Sequence, residues 1–258
     1  LNQNNLLHKD AKTVNGKTID QNLKNISKKE NIIICDFKKP MKEKAGFLIL
    51  RSNFFDTAIM KMSVVSSEFK ARYLSDSSNP NVFIVKAIVF DGPENYHKNI
   101  NNPDLNIDEN SILIMRGCGP IGYPGSAEVV NMQPPDHLLR KGVTSLPCLG
   151  DGRQSGTSES PSILNVSPES AVGGGLSIIN NGDKIKIDLN SKRVDLLLDD
   201  KIIKDRLSSQ NYTYPENQTP WQEISRKFTG QLSDGACLDL EEQYFNIAQS
   251  KGIPRDSH

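Results

Sequence analysis

The 258-residue chain sets 31 Lys plus Arg against 31 Asp plus Glu, so no bulk positive field exists to attract nucleic acid or an anionic membrane surface. Its 36% hydrophobic content can fill a real core, as one large domain or two small ones. Runs such as Ile32-Ile33-Ile34 and Leu196-Leu197-Leu198 are far too short to cross a bilayer, and no apolar signal-peptide core follows the amino terminus. A soluble, cytoplasmic protein is expected, with no nucleic-acid or membrane partner.

Residues 1–44 are rich in Lys and Asn, begin at Leu1 rather than Met, and read as a linker or surface arm of a truncated chain. Within them Gly16 precedes a short helical segment near Thr18 to Leu23. Over residues 45–209 come brief aliphatic or β-branched runs bounded by turn residues: Phe47 to Leu50, Phe83 to Phe90, Ser111 to Met115, Ser145 to Leu149, Leu176 to Ile179, Lys184 to Leu189 and Val194 to Leu198. Many short strands predict a barrel or sandwich core. Asn181-Gly182 falls between two runs, and Lys184 to Ile187 alternates as a half-buried strand does, so a hairpin is predicted there. Helices are predicted near Pro135 to Lys141, Asp199 to Ser208 and Leu240 to Ser250, the last docking through a stripe of Leu240, Tyr244, Ile247 and Ala248. Residues 210–258 form an extension, in which Gln210 to Trp221 reads as a crossing loop.

Two Gly-rich loops each follow a predicted strand. Arg116 to Gly125 leads to Ser126 and Glu128, and its glycines would let backbone amides approach a small anion. Gly150 to Thr157 gathers Asp151, Arg153, Ser155 and Thr157 in one turn, presenting Ser155 to a pocket or simply pairing Arg153 with Asp151. Such loops are more often tight turns than sites. No GxSxG elbow surrounds Ser155, and neither loop matches GxxxxGK[ST] or GxGxxG, so hydrolase and nucleotide-binding readings are poorly supported. Cys35, Cys118, Cys148 and Cys237 lack CxxC pairing or a zinc-ligand spacing to His, and read as partly buried thiols.

The run Gly119 to Glu128, then Asp151-Gly152-Arg153-Gln154-Ser155-Gly156-Thr157, then Val166-Ser167-Pro168-Glu169 with Gly173-Gly174-Gly175, resembles the dihydroxy-acid and sugar-acid dehydratase family in order and spacing. Gly150 to Thr157, Pro215 to Trp221 and the tail Lys251 to Asp256 resemble the branch acting on aldonic acids such as arabinonate or xylonate. Thr13 to Thr18 is similar to the segment joining the family's two domains. The resemblance covers the carboxy-terminal domain only. It implies an α/β fold, a mixed β-barrel-like swivelling domain with flanking helices, facing an amino-terminal domain that this sequence lacks.

The same resemblance implies a hydro-lyase that turns a 2,3-dihydroxy sugar acid into a 2-keto-3-deoxy acid. Glu128 matches a Mg2+ ligand, suited by its hard oxygens. Ser155 matches the base that removes the C2 proton, and Thr157 a neighbouring hydroxyl. An iron–sulfur cluster, of the [2Fe–2S] kind, would be held by the amino-terminal dehydratase domain, so this part alone is expected to be inactive, and a homo-oligomer is expected at full length. Glu159 stands where the branch usually has a small residue, and Cys118 likewise. Two alternatives stand beside this reading: a non-catalytic domain that binds a small acid or a protein, and a fragment of a branched-chain dihydroxy-acid dehydratase.

Overall fold

The computed structural model describes residues 1–26, 33–43, 45–125, 132–153, 162–210 and 219–252. The chain divides into two compact units, Leu1–Ala45 and Gly46–His258. In the first, helix α1 (Ile19–Leu23) opens on Thr18, whose hydroxyl accepts the Gln21 N–H while the Gln21 side chain accepts the Thr18 N–H. This reciprocal cap satisfies two donors at the helix start. The turn before it closes with the Thr13 N–H on the Lys17 carbonyl, Gly16 taking a φ of +76° that side chains resist.

The second unit contains, in chain order, β1 (Phe47–Leu50), β2 (Thr57–Lys61), α2 (Ser67–Phe69), β3 (Val82–Asp91), α3 (Gly92–Asn99), β4 (Ser111–Arg116), α4 (Asp136–Leu139), β5 (Cys148–Gly150), β6 (Ser162–Ser167), β7 (Lys184–Asp188), β8 (Arg193–Leu196), α5 (Asp200–Ser209), α6 (Pro220–Phe228) and α7 (Asp239–Lys251). The strands form one mixed sheet in the order β1-β2-β6-β5-β4-β3-β7-β8. Its two ends meet: the Arg51 N–H donates to the Lys192 carbonyl at 3.0 Å and the Val194 N–H to the Arg51 carbonyl at 2.9 Å, which makes a nearly closed barrel. Asn53 extends this seam, its side chain exchanging hydrogen bonds with both backbone groups of Leu196.

Strand alternation explains the core. Val85, Ala87, Ile112, Ile114, Leu149, Ile163, Ile185, Ile187, Val194 and Leu196 form one buried cluster inside the barrel. Ile88, Phe90, Leu113, Met115 and Cys148 project to the other face and pack with Tyr96 of α3 and Leu138 of α4 in a second cluster. Because β4 is covered on both faces, it reads as an unbroken apolar run, as parallel strands do. Each such residue contributes roughly 1.5–3 kcal/mol by leaving water. On β6 a bulge interrupts the alternation. Ile163 joins the inner cluster and Leu164 packs on the outer one; Asn165, at φ +53°, is an extra residue, and Val166 turns back inside. The pairing with β2 shifts accordingly, from Met60↔Ile163 and Ile59↔Leu164 to Thr57↔Ser167.

The mixed α/β, barrel-like fold expected from the sequence is present, with differences in detail. Leu176 to Ile179 is not a strand: Gly175 to Ile178 forms a 3-10 turn, because Arg116 Nη1 takes the Leu176, Ser177 and Ile179 carbonyls that a ladder would need. The hairpin partner of β7 is instead β8, while β7 also pairs with β3. Strands β2 and β6 and helices α2, α3 and α6 were not anticipated. On α7, Leu240, Tyr244 and Ile247, the stripe expected to dock, are about half exposed.

Inward and outward positions should respond differently to truncation. Ile114→Ala, fully buried, is expected to cost about 2–5 kcal/mol; Ile84→Ala, on the outward register of β3 and 53% exposed, less than about 1 kcal/mol. Urea denaturation midpoints of the two variants check this.

Candidate active site

Strands β3, β4, β5 and β6 run parallel, so the segments leaving Asp91, Arg116, Gly150 and Ser167 emerge at one edge of the sheet. The carboxyl edge of parallel strands is where such sheets bind ligands. Arg116, at the end of β4, donates to Asp91 across the β3 end at 2.5 Å and to the carbonyls of the Gly175–Ile178 turn, binding three of these segments together.

Asp151 follows β5 directly and has no solvent exposure. Its Oδ1 accepts the Cys118 N–H at 2.9 Å; its Oδ2 accepts the Gly117 N–H at 3.1 Å, the Ser170 N–H at 2.9 Å and the Ser170 hydroxyl at 2.5 Å. A buried carboxylate is tolerable only with such compensation. The start of the β4 loop, the start of the β5 loop and the segment after β6 therefore converge on one side chain.

Glu169, also fully buried, performs the same service farther along the β4 loop. It accepts the Ile121 N–H at 3.0 Å, the Gly122 N–H at 2.8 Å and the Gln231 side-chain amide at 3.0 Å. Space here is tight: a Cβ at Gly119 would run into the Glu169 side chain, and one at Gly122 would sit 2.7 Å from the Gly117 carbonyl oxygen. Burial pushes the Glu169 carboxyl above its usual range; the bonds from Gly122, Ile121 and Gln231 oppose this, and the nearby Asp151 charge adds to it.

These contacts revise the reading of the first loop. The amides of Gly117, Cys118, Ile121 and Gly122, expected to receive a small anion, are already bonded to Asp151, Ser170 and Glu169. Gly119 serves close packing against the Glu169 carboxylate and Gly122 close packing of the loop on its own backbone. Asp151 takes the Gly117 and Cys118 amides, and Ser170, Arg226 and Gln231 are site-building residues that the sequence reading did not single out, while Glu169 figured there only within the family motif and without a role. The one available signal was the acidic Glu169 set between Ser-Pro and small residues. Cys118 is a packing residue, its thiol pushed up by burial and by Asp151, Glu94 and Glu169.

Glu128, Ser155, Thr157 and Glu159 lie outside the described residues. Among the described residues no three His, Cys, Asp or Glu side chains converge as a metal site. Cys118 and Cys148 are buried and Cys35 and Cys237 exposed, all as thiols. The described residues thus do not fit an iron–sulfur cluster, and Asp151 and Glu169, with N–H donors at each oxygen, are not placed as metal ligands. No helix among the described residues is long and apolar enough to cross a membrane.

Residues 32–236 match the family described as dihydroxy-acid/6-phosphogluconate dehydratase, C-terminal. The chain is 54% identical to the D-xylonate dehydratase of Caulobacter vibrioides over 99% of its own length and 43% of that protein's. It is 32% identical to the L-arabinonate dehydratase of Rhizobium leguminosarum bv. trifolii, over 100% of this chain and 42% of that one. Against the dihydroxy-acid dehydratase of Saccharolobus islandicus the identity is 30%, over 90% and 39%. The chain therefore spans less than half the length of these curated relatives.

The Glu169 carboxyl gives a signed pH prediction. Its pKa is raised in the folded chain, so the stabilisation it contributes is present below the ordinary glutamate value of 4.5 and is lost as pH rises through the folded value. Glu169→Gln cannot titrate and turns an amide NH2 toward the Ile121 and Gly122 donors, at an expected cost of about 1–3 kcal/mol. The deficit relative to the parent should be larger near pH 4.5 than at neutrality, as urea midpoints at both pH values would record.

Proposed function

This chain belongs to the dihydroxy-acid/6-phosphogluconate dehydratase family, matching its C-terminal domain, and we propose on that premise that it is the carboxy-terminal part of a sugar-acid hydro-lyase. The proposed reaction removes water from a 2,3-dihydroxy acid and leaves a 2-keto-3-deoxy acid. An aldonate is favoured as substrate because relatives named for D-xylonate and L-arabinonate match over 99% and 100% of this chain. The observation that carries the reading is the pair of loops from β4 and β5, hydrogen-bonded side by side through Asp151 at the carboxyl edge of the sheet.

The β4 loop runs on to Glu128 and the β5 loop to Ser155 and Thr157. In the proposed roles Glu128 offers a hard carboxylate oxygen to Mg2+, Ser155 takes the C2 proton, and Thr157 is a second hydroxyl beside it. Magnesium, when bound, supplies the positive charge that makes a serine alkoxide and an acidic C–H accessible near neutral pH. Rigid loop bases matter for this chemistry, because a base must already lie within hydrogen-bond reach of the proton it removes. The remaining metal ligands and an iron–sulfur cluster are assigned to an amino-terminal dehydratase domain, along lines of 1–44 as linker, 45–209 as barrel half-domain and 210–258 as extension. A cytoplasmic setting suits the exposed thiol of Cys237, and a homo-oligomer is proposed for the full-length protein. A second reading, a non-catalytic domain that binds a protein, is favoured by the exposed Trp221, Tyr244, Phe245 and Ile247.

Iron content and dehydration of D-xylonate and L-arabinonate should be measured for this chain alone and after mixing with the amino-terminal part of a family member. Activity is expected only on mixing, with Ser155→Ala lowering kcat about 10²–10⁴-fold and Glu128→Gln weakening Mg2+ binding. Iron-dependent turnover by the chain alone would overturn the half-site reading. Inactivity of every mixture would favour the binding domain.

A further inference from the structure

We propose that Gln231 and Arg226 are positioning residues, which lock the β4 loop at Ile121 from the carboxy-terminal segment. Ile121 is held at both backbone groups: its N–H donates to Glu169 Oε1 at 3.0 Å, and its carbonyl accepts Arg226 Nε at 3.0 Å. Gln231 engages residue 169 twice, donating from its amide to Glu169 Oε1 and accepting the Glu169 N–H, each at 3.0 Å. The carboxylate that holds the loop is thereby itself held in one rotamer and one orientation.

Burial separates this from a surface coincidence. Glu169 has no exposure and the Arg226 side chain only 10%, whereas surface arginines rarely give up so much solvent. No residue of α6 is buried, so hydrophobic docking does not account for the position of that helix. Polar anchors to Ile121 and Glu169 hold the segment, and by the same bonds the segment holds the loop. Removing Gln231 leaves a buried carboxylate one donor short, and removing Arg226 releases the Ile121 carbonyl. The consequence for turnover rests on the dehydratase reading above; the brace itself does not.

The test is residue-resolved hydrogen exchange on the 258-residue chain, comparing the parent with Gln231→Ala, Arg226→Ala and Arg226→Lys. Exchange at Ile121 and Gly122 is expected to rise roughly tenfold or more in both alanine variants, with Ile114 and Leu149 unchanged and Arg226→Lys recovering part of the protection. In the mixed dehydratase the alanine variants should lower kcat more than they raise KM. Unchanged exchange at Ile121 and Gly122, or equal acceleration throughout β4 and β5, would overturn the brace. Faster loop exchange with parental kcat would overturn the positioning role. A parent mixture without dehydration counts against the proposed reaction, and the exchange comparison still decides the brace.

Discussion

A carboxylate taken out of water must recover its hydrogen bonds from the protein, and Asp151 and Glu169 recover theirs from the backbone of neighbouring segments. That requirement organises the edge of the sheet. The amides of Gly117, Cys118 and Ser170 gather on Asp151, those of Ile121 and Gly122 on Glu169. Glycine is needed at 119 because the Glu169 side chain occupies the space of a Cβ, and at 122 because the loop folds against its own Gly117 carbonyl. Loop composition, loop course and acid placement are thus one arrangement.

Much of this architecture was legible in the sequence. The unbroken apolar run of β4, the alternation of β7 and the Thr18–Gln21 cap each carry a local signal that tertiary structure did not need to override. Strand β6 was hidden for a physical reason: Asn165 is a bulge residue, so the in-out alternation breaks midway, and Ser162 and Ser167 are buried polar residues in a strand. Helix α6 was hidden by the Tyr-, Pro- and Asn-rich stretch that leads into it, although Pro220 stands at the helix start under a Thr219 cap, where proline is well tolerated. The Leu176 to Ile179 segment has strand-like residues, but a guanidinium competes for its carbonyls, and such competition is invisible to local pattern.

The candidate site was legible to a different extent. Motif order pointed to two loops, and the structure brings their first residues together on Asp151. Motif chemistry misjudged what the first loop's amides face, because whether a turn's N–H groups bind a ligand or the protein depends on what lies behind them. Here that is Glu169, in the segment that follows a strand the pattern did not show, and Gln231, which lies 62 residues farther along the chain. Long-range polar contacts of this kind have no periodicity to betray them.

The seam that closes the barrel has a different character from the braced edge. Arg51 meets Lys192 and Val194 through main-chain N–H and carbonyl groups. Such bonds do not read side-chain identity, so the exposed residues 51 and 192 are free to drift in charge and size while the cylinder stays shut, provided proline does not remove the donor at 51, whereas Val194 remains tied to the buried interior of the barrel. The molecule thus joins two regimes of tolerance: a permissive point on the rim, at residues 51 and 192, where main-chain groups do the fastening, and, among its loops, a stretch where the loss of one hydrogen-bond donor or the gain of one methyl group is felt.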